Sequence, residues 1–317
     1  MSIKISECSQ WVIDKTLASC AGNYRPTEVV FTNASGVWMY DVEGRRYLDF
    51  LSAYSALNFG HCNPRFEKAA IEQLKRLTLT SRAFYNNQLG PFCEELAALC
   101  GFDRVVPMNS GAEAVETSIK IARKWGYEKK GIADNQAEII CLGGNFHGRT
   151  TTIVSFSDGP SSYTNFGPLT PGFKLVPFGD IDSLRQAITP HTAAILVEPI
   201  QGEGGVIIPP DGYLLDVRNL CDQENVLFIA DEIQTGLGRT GMLLACDHEQ
   251  VKADLVILGK SLGGGITPLS AVVGKGALID LLVPGTHGST FGGNPFACAI
   301  GREVIRYIRE EKPHEKS

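Results

Sequence analysis

Short apolar runs that close abruptly on polar or charged residues recur through the second two-thirds of the chain, separated by stretches with helical spacing. The runs predict strands over 105–108, 138–142, 153–156, 174–178, 193–198, 226–231, 254–258 and 271–274. The intervening periodicity predicts helices over 112–125, 181–188 and 214–225. Alternation of this kind specifies an α/β domain, with a mostly parallel central sheet and helices on both faces. Upstream, helical spacing recurs over 66–77 and 91–100. The first residues form an amphipathic stretch that breaks at Tyr24-Arg25-Pro26. Two strand-like pieces, 29–41 and 45–50, follow and are expected to pair across Glu43-Gly44. The segment 51–64 is irregular and glycine-bearing, with polar aromatic residues, the kind of loop that faces a site. At the far end a helix is expected from 302 to 309, followed by the polar tail EEKPHEKS.

Composition narrows the classes. With 317 residues, 44% of them hydrophobic, the chain can bury a core of enzyme size. A net charge of −6 without long basic runs argues against nucleic acid. No apolar run approaches the ~18 residues of a membrane span. The first residues resemble neither a signal peptide nor a presequence. Nine cysteines stand singly, as small core residues do in a reducing compartment. The expected location is the cytoplasm.

The chemistry concentrates between residues 226 and 265. One apolar run delivers Asp231 and Glu232 at its end; a second delivers Lys260 into a glycine-flanked turn. Ligands of open α/β sheets gather at the carboxyl ends of strands. Alone, such a lysine reads as a solvated loop residue and such an aspartate as a strand cap. Together they suit pyridoxal phosphate, which needs an imine-forming lysine and an acid to keep its ring nitrogen protonated.

Other stretches add parts. Asn109-Ser110-Gly111-Ala112 follows a strand and opens a helix, so its free amides offer a phosphate seat, although Ser–Gly caps are common. Glu113 then complements the helix N-terminus. In 143–150, Phe146 can lie on a planar ring or belong to the core, His147 can do the same or satisfy a loop, and Arg149 suits a carboxylate. Glu198 and Glu203 lie among glycines without a histidine at ligand spacing, so a metal is the weaker reading and none is expected. Gln234 can reach the ligand of Asp231. Residues 287–295 offer hydroxyls and amides to an anion.

These stretches taken together, NSGAEAVE (109–116), GNFHGRT (144–150), VEPIQGEGG (197–205), ADEIQTGLGRTG (230–241), LGKSLGGG (258–265) and HGSTFGGNP (287–295), resemble the class III (ornithine-type) aminotransferases, pyridoxal-phosphate enzymes of fold type I. Within the class, NYRP (23–26) and SAYSALNFGH (52–61) are more similar to ornithine δ-aminotransferases than to acetylornithine or 4-aminobutyrate aminotransferases. The resemblance implies the following roles. Lys260 bonds the cofactor's aldehyde and later shuttles the proton, and Asp231 holds the pyridine nitrogen protonated. Gln234 binds the ring hydroxyl, Phe146 stacks on the ring, and the Gly111 and Ala112 amides hold the phosphate. Thr290 helps from the partner subunit of a homodimer with shared sites. Tyr24, Tyr54, Arg149 and Glu203 face the substrate, with Arg149 on a carboxylate.

The implied reaction moves the δ-amino group of ornithine to 2-oxoglutarate, an amino-acid and an oxo-acid substrate, with no nucleic acid or membrane. The alternatives are an acetylornithine or other ω-amino-acid aminotransferase, or a shortened chain that only binds the cofactor or dimerises. The resemblance divides the chain into an N-terminal segment (1–57), a large cofactor-binding domain (58–295) and the start of an interdomain helix (296–317). It also implies that the C-terminal small domain is largely missing. Glu203 would then lack its arginine partner, so it should be solvated or carry a perturbed pKa. The half-reaction with 2-oxoglutarate should fail, and a face of the large domain should be exposed. Arg302, Arg306 and Arg309 match no role.

Overall fold

The computed structural model describes residues 5–315. A seven-stranded sheet organises it: β4 (Arg104–Met108), β5 (Glu138–Leu142), β6 (Phe173–Val176), β7 (Thr192–Val197), β8 (Leu227–Asp231), β9 (Leu255–Leu258) and β10 (Ser270–Gly274), in the order β4-β10-β9-β8-β7-β5-β6. Each neighbouring pair from β9 to β6 is parallel; β10 is antiparallel to both β9 and β4. All strands but β10 therefore end on the same edge.

Burial on both faces follows from the period of two along each strand. Ile140, Leu142, Ile195, Val197, Phe228, Ala230, Val256 and Leu258 point into one core, with Phe66, Phe92, Leu220, Val304 and Ile308 from the covering helices. Their alternates Ile139, Cys141, Ala194, Leu196, Leu227, Ile229, Leu255 and Ile257 join a second core with Val115, Ile119 and Ala122 of the helix Gly111–Trp125. This is why the strands read as unbroken apolar runs rather than alternating ones.

The other long helices are Glu7–Ser19, Pro64–Leu74, Leu89–Cys100, Tyr213–Glu224 and Pro295–Glu311. The last begins well ahead of residue 302: Asn294 caps it by accepting from the Ala297 N–H at 2.8 Å, and Pro295 opens its first turn. Its Arg302 is not idle, because it binds Glu95 at 2.7 Å and Gln88 at 2.9 Å, fixing this helix to Leu89–Cys100.

Two expectations need correction. The stretch 153–156 is a turn of 3-10 helix (Ile153–Phe156), not a strand. Hydroxyls there satisfy the backbone locally: Thr150 Oγ1 accepts from the Ile153 N–H, and Ser155 Oγ donates to the Thr151 carbonyl. The segment thus buries Ile153, Val154 and Phe156 without a ladder partner. The stretch 29–41 is not one strand but two, β1 (Phe31–Ser35) and β2 (Trp38–Asp41), which pair antiparallel around Gly36, at φ +58°. β3 (Arg46–Leu48) then pairs with β2 across the Glu43-Gly44 turn. Only Ser9 of the first helix is buried.

Candidate functional site

Because β7, β8 and β9 are adjacent and parallel, their ends bring together residues far apart in sequence: Glu198, then Asp231 and Glu232, then Lys260. The turn after β5 adds Phe146, His147 and Gly148, and the turn after β4 leads into Gly111 and Ala112. All of these except Glu232 line a cleft of about 200 Å³, with Ile200, Glu203, Ile233, Gln234 and Thr235.

The neighbouring acids Asp231 and Glu232 have opposite fates, as alternation along a strand demands. Glu232 is buried away from the cleft. Its carboxyl accepts from the Ala245 and Cys246 amides, both at 2.9 Å, and from Thr235 Oγ1. Burial pushes its pKa up. Asp231 is 4% exposed and lines the cleft. Its Oδ1 accepts from the Ile233 amide at 3.1 Å and its Oδ2 lies 2.6 Å from Nδ1 of His147. Burial alone would lower the imidazole's pKa, but the hydrogen bond to Asp231 and that residue's charge raise it above its ordinary value. Nδ1–H therefore donates to the carboxylate. Nε2 of His147 is buried with no partner among the described residues.

Lys260 opens a 3-10 turn with φ +46°, a left-handed conformation that costs energy for a residue with a side chain. Burial lowers the pKa of its half-buried amine, against the opposing charges of Asp231, Glu203 and Glu198. Glu198 is a site residue that the sequence marks only as a weak metal candidate. It accepts from the Phe146 amide at 2.9 Å, and burial pushes its pKa up to about 7, with His147 opposing and Asp231 reinforcing. Its position one residue past the end of β7 is the signal that sequence carried, matching Asp231 at the end of β8.

At the other end of the cleft, Ser110 and Glu113 form a capping box: Ser110 Oγ accepts from the Glu113 amide at 3.2 Å, and Glu113 accepts from the Ser110 and Asn109 amides at 2.7 and 2.9 Å. The Gly111 and Ala112 amides, at the positive end of the helix, have no partner among the described residues. A Cβ on Gly111 would come within 2.9 Å of Ile233 Cδ1.

The remaining expected residues lie outward. Gln234 lines the cleft and reaches the Tyr54 carbonyl at 3.3 Å and Glu203 Oε1 at 3.4 Å. Tyr54 sits in four consecutive residues, Ser52–Ser55, with φ between +44° and +70°. Glu203 is exposed, and Arg149 lies with its guanidinium 5.4 Å from the Phe146 ring centre. Arg149 and Glu203 share a second pocket at the mouth, with Asp158 and Ser162. Tyr24 and Thr290 are exposed and line neither pocket. No group of three or more His, Cys, Asp or Glu among the described residues could hold a metal.

The donor set can be tested against a cofactor on its own chemistry. A buried anion suits a cationic ring nitrogen, apolar walls (Phe146, Ile200, Ile233) suit a planar ring, unpartnered helix amides suit a phosphate, and a half-buried amine suits an aldehyde. Pyridoxal phosphate fits every part. The sheet and these strand-end groups define a pyridoxal-phosphate-dependent transferase of fold type I.

Comparison with known proteins narrows the class. Residues 19–317 match the family Aminotransferase class-III, and the chain belongs to it. The ornithine aminotransferase of Bordetella pertussis is 57% identical over 291 residues, 92% of this chain and 71% of that protein. The crystal structure of the Toxoplasma gondii ornithine aminotransferase superposes with a TM-score of 0.96 at 48% identity, covering 97% of this chain and 73% of that one. An acetylornithine aminotransferase from Elizabethkingia anophelis superposes with a TM-score of 0.87 at 47% identity, covering 97% and 75%.

Proposed function

We propose that the chain transfers the δ-amino group of L-ornithine to 2-oxoglutarate, giving glutamate 5-semialdehyde and glutamate, with pyridoxal phosphate in the cleft at the ends of β7, β8 and β9. The observation that carries this reading is Lys260 facing the same cleft as the Asp231–His147 pair. Relatives named ornithine aminotransferase, at more than half identity, support the choice of substrate. Bound there, pyridoxal phosphate supplies a carbonyl that condenses with amines and a ring that takes up the electrons of a broken C–H bond.

The chain's own groups do the rest. Asp231 would hold the proton on the ring nitrogen, and His147 keeps that carboxylate aimed. Phe146 would cover the ring, Gln234 would bind its hydroxyl, and the Gly111 and Ala112 amides would seat the phosphate. Lys260, whose amine has its pKa lowered by burial, would be the group placed to hold and move a proton at the substrate carbon. Arg149 grips a substrate carboxylate, and Tyr24, Tyr54 and Glu203 face the substrate at the mouth.

Thr290 serves the partner's phosphate in a homodimer; its exposure outside its own cleft supports this. Residues 58–295 act as the cofactor-binding unit, with 1–57 and 296–317 flanking it. No helix among the described residues is long and apolar enough to cross a membrane. All nine cysteines are free, in keeping with the proposed cytoplasmic site of action.

The deciding measurement is the visible absorbance of the chain with pyridoxal phosphate, before and after L-ornithine, against Lys260→Ala. A lysine-dependent band that ornithine bleaches and 2-oxoglutarate restores is the expected result. Bleaching by N-acetylornithine alone would reassign the donor. The absence of any lysine-dependent band would remove the cofactor reading.

A further inference from the structure

The loop between the short helix Gly276–Ile279 and the helix Pro295–Glu311 carries Thr290. It is pinned twice to the element whose first turn lines the cleft. Asn109, just ahead of that helix, donates Nδ2–H to Ser289 Oγ at 3.0 Å. Further along, His287 touches both Thr117 and Lys120: its Nε2 lies 2.9 Å from Thr117 Oγ1 and its Nδ1 lies 3.0 Å from Lys120 Nζ. Lys120 also donates to the Thr286 carbonyl at 2.9 Å.

Counting protons fixes the state of the ring. The single hydroxyl proton of Thr117 goes to the Glu113 carbonyl at 2.7 Å, so Oγ1 accepts from Nε2–H of His287. An ammonium can only donate, so Nδ1 must carry no proton. The imidazole is neutral, in one tautomer.

We propose that His287 is a positioning residue that works only as the neutral Nε2–H tautomer, tying the Thr290 loop to the helix whose first turn lines the cofactor cleft. Its consequence for the cofactor rests on the role proposed above for Thr290. Protonation would remove the acceptor and place a second cation 3.0 Å from Lys120. The charged groups around the ring are Lys120 and Glu113 on the helix; Arg82, Arg104 and Asp280 line the cavity that His287 shares. Burial and then Lys120 lower the imidazole's pKa, with Glu113 opposing. The clamp is therefore fully present above the ordinary imidazole range, about 6.5, and is lost as the pH falls.

The experiment measures pyridoxal phosphate affinity by equilibrium dialysis of the cofactor-free chain between about pH 5 and 8. Wild type is compared with His287→Gln, His287→Ala and Thr290→Ala. Glutamine donates and accepts at every pH, so it should keep the wild-type affinity at high pH and flatten the acid-side loss. Alanine should weaken binding roughly tenfold at high pH, the loss of one hydrogen bond to a charged group. A glutamine variant as weak as alanine, or one with the wild-type pH profile, would overturn the proposal.

Thr290→Ala separates the two claims. No effect there removes the reading of Thr290, whereas weakening there beside a normal His287→Ala removes the clamp. If His287→Ala fails to fold, Thr117→Val carries the same arm. Nitrogen NMR of the cofactor-free chain gives a readout independent of binding: His287 must titrate from the neutral Nε2–H form, and the opposite tautomer at neutral pH would sink the idea.

Discussion

The floor of the cleft and its rim are built on different physical terms. On the floor, Asp231 is 4% exposed and His147 3%, and each is fixed by a hydrogen bond and by apolar neighbours on adjacent strands. At the proposed rim, Tyr24 is 77% exposed and Tyr54 52%. The rim's contacts are long ones, such as Gln234 to the Tyr54 carbonyl at 3.3 Å. A buried group aimed by a parallel sheet is preorganised and needs no ligand to find its place. An exposed group on irregular backbone must be ordered by what it binds. The floor should therefore govern the chemical step, and the rim the choice of substrate.

The largest effect should come from Lys260, whose amine has no neighbour able to replace it. Lys260→Ala should lower kcat about 10⁴-fold, the upper range for a lost acid–base group, while dialysis still finds bound cofactor. Retention of a tenth of the activity would break the floor's claim to the chemistry. Next is Asp231→Asn, which keeps the shape but removes the charge that faces His147 and, in the proposed role, the ring nitrogen. It should cost on the order of 10²- to 10³-fold in kcat with a smaller change in KM. A change confined to KM would place Asp231 among the binding groups instead.

Glu198 tests the floor by stability. Its pKa is raised to about 7 by burial, so the folded chain holds a proton there that the unfolded chain releases near pH 4.5. A raised pKa gives stability that is present below the unfolded value and lost as the pH rises through the folded one. Glu198→Gln, which needs no proton, should therefore gain stability relative to wild type on going from about pH 5 to pH 8, with a ceiling of about 3 kcal/mol. Thermal melting of the cofactor-free chain measures it. A difference that does not change with pH would mean that Glu198 ionises as an ordinary carboxylate.

The same division decides what could be read from sequence. All seven strands of the main sheet were legible to within two residues because apolar runs buried on both faces leave a continuous signal; β5 matches its expected 138–142 at both ends. The floor was legible for the same reason: Asp231 and Lys260 end such runs. Glu198 ends one too, but its chemistry depends on burial beside His147, which only the neighbouring strands create. The 3-10 turn Ile153–Phe156 reads as a strand because a short apolar run has the same composition whether hydroxyls or a ladder satisfy its backbone. The left-handed run Ser52–Ser55 contains no glycine to announce it. Tyr24 and Thr290 lie outside the walls of their own cleft, and no periodicity encodes the contacts proposed for them.

Tyr24 is where the rim should show the smallest but most selective effect. Its ring is largely exposed, so removing the hydroxyl leaves no buried group unpaired in the free chain. Tyr24→Phe should therefore leave thermal stability and cofactor affinity unchanged. The lost hydrogen bond should appear only with a substrate whose polar α-carbon end reaches the rim. For ornithine, kcat/KM should fall by roughly three- to tenfold, the net worth of one hydrogen bond. For 4-aminobutyrate, which has no α-amino group, it should fall far less. An equal loss for both donors would mean that Tyr24 acts on the floor after all, or on the approach common to every substrate. A loss for ornithine alone would show that the rim recognises the end of the donor that does not react.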